Sequence, residues 1–290
     1  MLSFPILLTQ FLNGLSYSVL LFLLAVGLSV ILGLMNVVNL AHGALFVLGT
    51  YVGLSVIGAT GSFWWALLLA PLVVGLVSGL LERMLRPLYR RTPLDQALLT
   101  VGVAFIAGDL FKSIWGSDIY NIQPPAILSG AVDILDYPFP EYRIFLIVFG
   151  LILAVLLWLL LERTRIGAMV RAGVSDRQMV GALGIDVSKV FFAVFVLGGW
   201  LAGLSGVLAA PLMGAYPTLD FSVTLLALVI VVVGGIGTFR GSFWGSLLIG
   251  QAETFGKVFL PSLVMILIFA IMVLILIFRP QGLFGRVGRI

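Results

Sequence analysis

The sequence has no cysteine and a single histidine, His42. These two absences exclude a disulfide framework, thiolate chemistry, a cysteine-based metal site and any multi-histidine metal centre. Charge is scarce as well. Sixteen Lys and Arg and 12 Asp and Glu make up 10% of 290 residues, against roughly 25% in soluble domains. No phosphate-binding P-loop is present. The nearest string, Gly250 to Gly256-Lys257-Val258, has a glycine spacing one residue too long, and Val258 stands where a Mg²⁺-binding Ser or Thr would be needed. Residues 1–10 lack a basic region ahead of the first apolar run, so no cleavable signal peptide is expected. What is abundant is apolar: 61% of residues are hydrophobic. The chain reads as an all-α, polytopic membrane helix bundle and, across residues 1–290, a single transmembrane domain.

A span needs about 20 apolar residues. From Leu15 to Ile57 the only strongly polar side chains besides hydroxyls are Asn36, Asn39 and His42. That run is about twice a bilayer thickness at ~1.5 Å per residue, so it must be two spans broken near Gly33–Asn39. Further runs cover Phe63–Leu81, Leu94–Ile114, Ile144–Leu161, Val190–Leu212, Phe221–Phe239 and Leu260–Phe278, with Gly241–Val258 a weaker candidate carrying Gln251, Glu253 and Lys257. Trp115–Tyr142 is a polar connection containing proline. The count is eight or nine, depending on whether Gly241–Val258 spans or is re-entrant.

Thirteen of the 16 basic residues fall on one side of these spans: Arg83, Arg86, Arg90 and Arg91, then Arg163, Arg165, Arg171, Arg177 and Lys189, then Arg240, Arg279, Arg286 and Arg289. Only Lys112, Arg143 and Lys257 remain for the other side. The positive-inside rule makes the rich side cytoplasmic, with the N-terminus outside and the C-terminus inside. GxxxG pairs at Gly49/Gly53, Gly75/Gly79, Gly199/Gly203 and Gly241/Gly245 suit close helix packing. Two apolar runs are interrupted by glycine and polar residues, at Gly33–Asn39 and at Gly234-Gly235-Ile236-Gly237. Paired breaks of this kind point to a transport site in repeat-built transporters. Asn36, Asn39 and His42 are the candidate pathway residues, because polar groups at a break between spans need a reason to be there.

The longest polar interruption of the second half, Glu162 to Lys189, lies between two spans on the basic side. Ser175-Asp176-Arg177-Gln178 reads as a capping box, and Gly184 sits where a left-handed residue would end the helix. Met179, Val180 and Leu183 form one apolar stripe on it. A helix this short is marginal in water and must dock on something: either its own bundle or a partner protein.

Two other readings compete. Gly203-Leu204-Ser205-Gly206 with a histidine on another helix has the pattern of a rhomboid-type intramembrane protease. The expected separation of His42 and Ser205 in depth, roughly 22 Å at the usual rise, disfavours a nucleophile–base pair. A self-contained carrier is also conceivable, but the chain lacks the buried series of acids that a proton- or sodium-driven carrier would show. The pairs Asp109/Lys112 and Glu253/Lys257 have helical ion-pair spacing near the outer boundary.

Five segments in order give a resemblance. Gly33-Leu34-Met35-Asn36-Val37-Val38-Asn39-Leu40-Ala41-His42-Gly43 resembles the permease subunits of bacterial ABC importers for branched-chain amino acids. So do Arg165–Ala172 with Ala182-Leu183-Gly184-Ile185, Phe195–Val207, Gly234–Gly241 and Arg279-Pro280-Gln281-Gly282-Leu283-Phe284-Gly285. The Asn-Leu-Ala-His-Gly version is similar to the shorter of the two permease types such importers pair. The resemblance implies a multi-pass protein of the bacterial inner membrane with no cofactor and no enzymatic activity of its own. It implies a second homologous permease, two ATP-binding subunits that use ATP and Mg²⁺, an external substrate-binding protein and no nucleic acid. It also implies that residues 162–189 carry a cytoplasmic coupling helix, with Arg171, Asp176, Arg177, Met179, Val180, Leu183 and Gly184 at the contact. Branched-chain amino acids are the expected substrate; urea or short amides are the alternative. No fixed charge for a zwitterion stands out in the apolar, glycine-rich pathway.

Overall fold

The structure is a computed structural model, and it describes residues 4–175 and 177–285. The apolar runs form helices: α1 Phe4–Met35, α2 His42–Thr60, α3 Phe63–Leu85, α4 Pro93–Trp115 and α5 Glu141–Trp158, the last continuing as a π-helical turn over Leu159–Arg163. Two short helices follow, α6 Arg165–Ser175 and α7 Arg177–Ala182. The remainder is α8 Val187–Met213, α9 Leu219–Gly234, α10 Phe239–Phe259 and α11 Val264–Phe278.

Helix α1 is the hub. It is apolar on every face, and from Ser18 to Ser29 every residue is buried. A helix hydrophobic all round must be surrounded, and α8, α10, α5 and α9 surround this one. The hydrophobic effect does not drive helices together in lipid, so close approach and interhelical hydrogen bonds hold the bundle. At the α2–α8 crossing, a Cβ on Gly49 would overlap the backbone of Gly203. Ser78 Oγ of α3 donates to Phe195 O of α8 at 2.7 Å, and Ser205 Oγ of α8 donates to Leu20 O of α1 at 2.8 Å. The periphery is apolar and outward-facing, with Ile152 and Val155 on α5 and Met265, Ile266 and Ile277 on α11 exposed.

Among the described residues, seven helices are long and apolar enough to cross a membrane alone. Helices α9 and α10 pass that test only as a pair, bent by 119° at the Gly235–Thr238 break. The bent pair makes an eighth candidate, so nine independent spans are not found. The reason is length and polarity: α9 has 16 residues, and α10 carries Gln251, Glu253 and Lys257.

The connection from Trp115 to Tyr142, expected as a loop, holds a two-stranded antiparallel hairpin, β1 Ala131–Ile134 and β2 Tyr137–Pro140. Leu135 and Asp136 turn it with positive φ at both positions, 52° and 65°, the geometry of a type I′ turn. The free ends of the first and last helices lie at opposite ends of the bundle. Gln10 of α1 bonds Thr254 near the end of α10, whereas the segment after α11 bonds the end of α9 through Leu283 N–H to Val233 O and Phe284 N–H to Gly234 O.

Candidate functional site

The polar stretch folds as a two-helix unit, not one helix. Helix α6 is amphipathic, burying Gly167, Val170 and Gly173 at a spacing of three. Its Arg171 guanidinium donates to Leu161 O at the π turn and lies 3.6 Å from the Glu162 carboxylate. Arg171 therefore braces α6 onto the end of α5. Helix α7 ends as its sequence demands. Gly184 has φ +80°, its N–H bonds Gly181 O, and Ile185 N–H bonds Val180 O. This is a Schellman motif, which satisfies carbonyls left open at a helix end. The apolar stripe divides: Val180 is buried at 3% exposure, while Met179 and Leu183 are 58% and 71% exposed. Asp176 of the expected capping box, and the side chain of Arg177, lie outside the described residues, as do Arg286 and Arg289 of the basic tail.

The basic residues gather around this unit. Arg83 and Arg86 stack over Phe192 near the start of α8. The fully buried Glu82 carboxylate receives Arg86 Nε–H at 2.9 Å and Tyr89 O–H at 3.0 Å. The other end of the bundle holds Arg143, bonded to Asn13, and Lys257, paired with Glu253 at 2.7 Å.

The two interrupted segments meet. A Cβ on Gly33 would collide with the backbone of Gly237, and Gly237 N–H donates to Ser29 Oγ at 3.1 Å. The starts of α2 and α9 also touch, through Gly43 N–H donating to Thr224 Oγ1 at 2.9 Å. The three polar candidates of the first break have structural partners here. Asn36 follows α1 with φ 55° and bonds Leu32 O, so it is the left-handed residue that ends the helix. Asn39 is buried and its Oδ1 accepts Ala41 N–H at 3.1 Å. His42 is fully buried with Nε2 3.1 Å from Leu24 O. His42 Nδ1 and Asn39 Nδ2 are buried without a hydrogen-bond partner among the described residues.

The expected depth gap between His42 and Ser205 is not found. Their side chains bond Leu24 O and Leu20 O, carbonyls a single helical turn apart on α1. Helix α2 starts within the bundle rather than at its end, which the run of apolar residues concealed. What argues against a nucleophile–base pair is that each side chain is engaged with α1 instead of the other.

A cleft of about 460 Å³ lies between α4 and α9. Its walls include Val101, Phe105, Leu225 and Leu228, and Asp109, Lys112 and Asp220 line it as well. Asp109 and Lys112 form the expected ion pair, at 3.4 Å. Asp220 escaped the sequence reading, because nothing in the chain order connects the first turn of α9 to the last turns of α4.

The sequence from residue 10 to 276 matches the family described as branched-chain amino acid transport system / permease component. Two relatives align over 96% of both chains. One is the high-affinity branched-chain amino acid transport system permease protein BraD of Pseudomonas aeruginosa, at 28% identity. The other is LivH of Escherichia coli K12, described in the same words, at 27%. LivM of Salmonella typhimurium, a permease protein of the same kind of system, is 27% identical over 90% of this chain and 67% of its own. No solved structure matches. The chain belongs to the family of branched-chain amino acid transport system permease components.

Proposed function

We propose that this protein is the permease subunit of an ATP-driven importer for branched-chain amino acids in a bacterial inner membrane, with its basic end in the cytoplasm. The similarity to LivH and BraD along 96% of the chain carries the substrate reading. The coupling reading rests on α7. Met179 and Leu183 expose apolar surface at the basic end of the bundle, beside a helix fixed from below by Val180. Separate ATPase subunits would seat α7, bind and hydrolyse ATP, and drive the permease between inward- and outward-facing states. An external binding protein would deliver substrate to the opposite end. The similarity to LivM as well as LivH suits a second, homologous permease beside this one. A ligand shifts two such states only by its differential affinity for them, so the ATPases must grip α7 differently in each. The test is purification in mild detergent after crosslinking, with mass spectrometry of what accompanies the chain. A second permease and one or two P-loop ATPases are expected. Recovery of the chain alone, with substrate uptake in liposomes lacking any ATPase, would refute the proposal in favour of a self-contained carrier.

A further inference from the structure

The cleft between α4 and α9 combines features that a lipid-facing groove would not. Its walls are apolar: Val101 and Phe105 on one side, Leu225 and Leu228 on the other. At about 460 Å³ it falls within the size range of small-molecule sites. It also receives three formally charged side chains from two helices, Asp109, Lys112 and Asp220. The side chains of Asp109 and Lys112 are 81% and 48% exposed. Charged groups on a membrane-spanning helix face a water-filled cavity or a polar partner, not lipid. Gly108 lies in the wall with nothing within 4 Å of where its Cβ would be, which leaves backbone open to an approaching molecule.

We propose that this cleft is a transit site for a small zwitterion with an aliphatic side chain, whose carboxylate meets Lys112 and whose ammonium meets Asp220 and Asp109. The inference rests on the importer reading and adds the residues that would sort substrates. The placement of both signs of charge supports the occupant, with a cation and a carboxylate available for the two ends of a zwitterion. Two carboxylates and one ammonium leave a formal excess of one negative charge. Asp109 is already paired with Lys112 at 3.4 Å, which leaves Asp220, on the opposite wall, as the acid that faces a ligand's cation. A zwitterion leaves the net charge of the cleft unchanged but gives each wall a countercharge, its ammonium facing the Asp220 carboxylate and its carboxylate facing the exposed Lys112. A neutral amide would offer neither Asp220 nor Lys112 a full countercharge, and an acyl chain would fill the walls while ignoring the charges. The aliphatic side chain of the substrate would lie along Phe105 and Leu228.

The test uses the assembled importer in proteoliposomes with ATP and saturating binding protein. Uptake of leucine is measured per assembled complex, and assembly is quantified by copurification of the second permease. K112M and D220N should each lower uptake about tenfold or more, with assembly retained, and K112R should restore much of the loss because it restores the cation. L228W, which fills the apolar part, should slow leucine more than alanine. Wild-type rates in both K112M and D220N would overturn the site while leaving the importer reading intact. Loss of uptake in step with loss of the second permease would overturn it too, making this face a subunit contact. So would a phospholipid that copurifies with the wild type and is expelled by L228W at unchanged uptake. A wild-type complex that imports urea or a short amide and no zwitterion would overturn both readings.

Discussion

Replacing Leu183 by alanine should weaken ATPase docking without unfolding the permease. Helix α7 has six residues, too few to persist unsupported. Val180 supplies the support: it is 3% exposed and anchors the helix to the bundle. Leu183 and Met179, at 71% and 58% exposure, contribute little to that anchoring. Full burial of a Leu or Met side chain is worth about 1.5–3 kcal/mol. The fraction still accessible leaves about 1–2 kcal/mol per side chain to be gained by docking. Leu183→Ala forfeits most of one such increment, so the ATPase should bind roughly 5- to 30-fold more weakly. Leu183→Glu would place an unpaired carboxylate in the contact, at a cost of several kcal/mol, and should abolish uptake. Val180→Ala is the control with the opposite signature: a lower melting temperature, but unchanged affinity per folded permease. Titration of the ATPase subunit onto permease in lipid nanodiscs separates these. If Leu183→Glu binds the ATPase as tightly as wild type and supports normal uptake, α7 is not the coupling element.

Substitutions at three further positions probe the scaffold. Asn36→Gly should melt at or above the wild-type temperature and transport normally, whereas Asn36→Val, forced to φ 55°, should lose about 1–2 kcal/mol; an unaltered melting curve with lost uptake in Asn36→Gly would instead mark the side chain as a substrate contact. Gly49→Val should collapse the yield of monodisperse protein on size exclusion, because the backbone of Gly203 cannot retreat from the new side chain, and near-normal yield would show that α2 and α8 are not locked at this crossing. Ser78→Ala removes the bond to Phe195 O; interhelical bonds in lipid average about 0.6 kcal/mol, so a fall in melting temperature of about 1–2 °C with unchanged uptake is expected, and a drop of ten degrees would mean the bond holds far more of the bundle.

Length and hydropathy sufficed to place the long apolar helices, because a bilayer leaves the backbone few alternatives. The end of α7 was equally legible: Gly184 after a short apolar stripe can do little but close the helix. The hairpin was not, since its I′ turn uses Leu135-Asp136 in place of the Asn-Gly or Asp-Gly that announces such turns. Helix α6 escaped for a different reason. It is too polar to register as a span, and its buried stripe of Gly167, Val170 and Gly173 is two-thirds glycine. Depth was the least legible quantity, and it misled the reading of His42 and Ser205. An apolar run records that residues avoid water, not the level at which a helix starts, and α2 starts inside the bundle, against Leu24 of α1.

The same blindness hid the charges of the cleft. Asp109 and Lys112 looked like a self-satisfied helical pair, and Asp220 drew no reading, although an acid in the first turn of α9 sits where the helix dipole favours it. Neither local account is wrong. Local satisfaction, however, does not explain why α4 carries two charges on its outward face, with the wall glycine Gly108 beside them. Helix α11 carries no charged residue, and α5 carries charge only in its first turn, at Glu141 and Arg143. The contrast between α4 and these two helices is a physical reason to place the proposed pathway on the α4–α9 side of the bundle. On that side a fixed charge meets an apolar wall large enough to hold an amino acid.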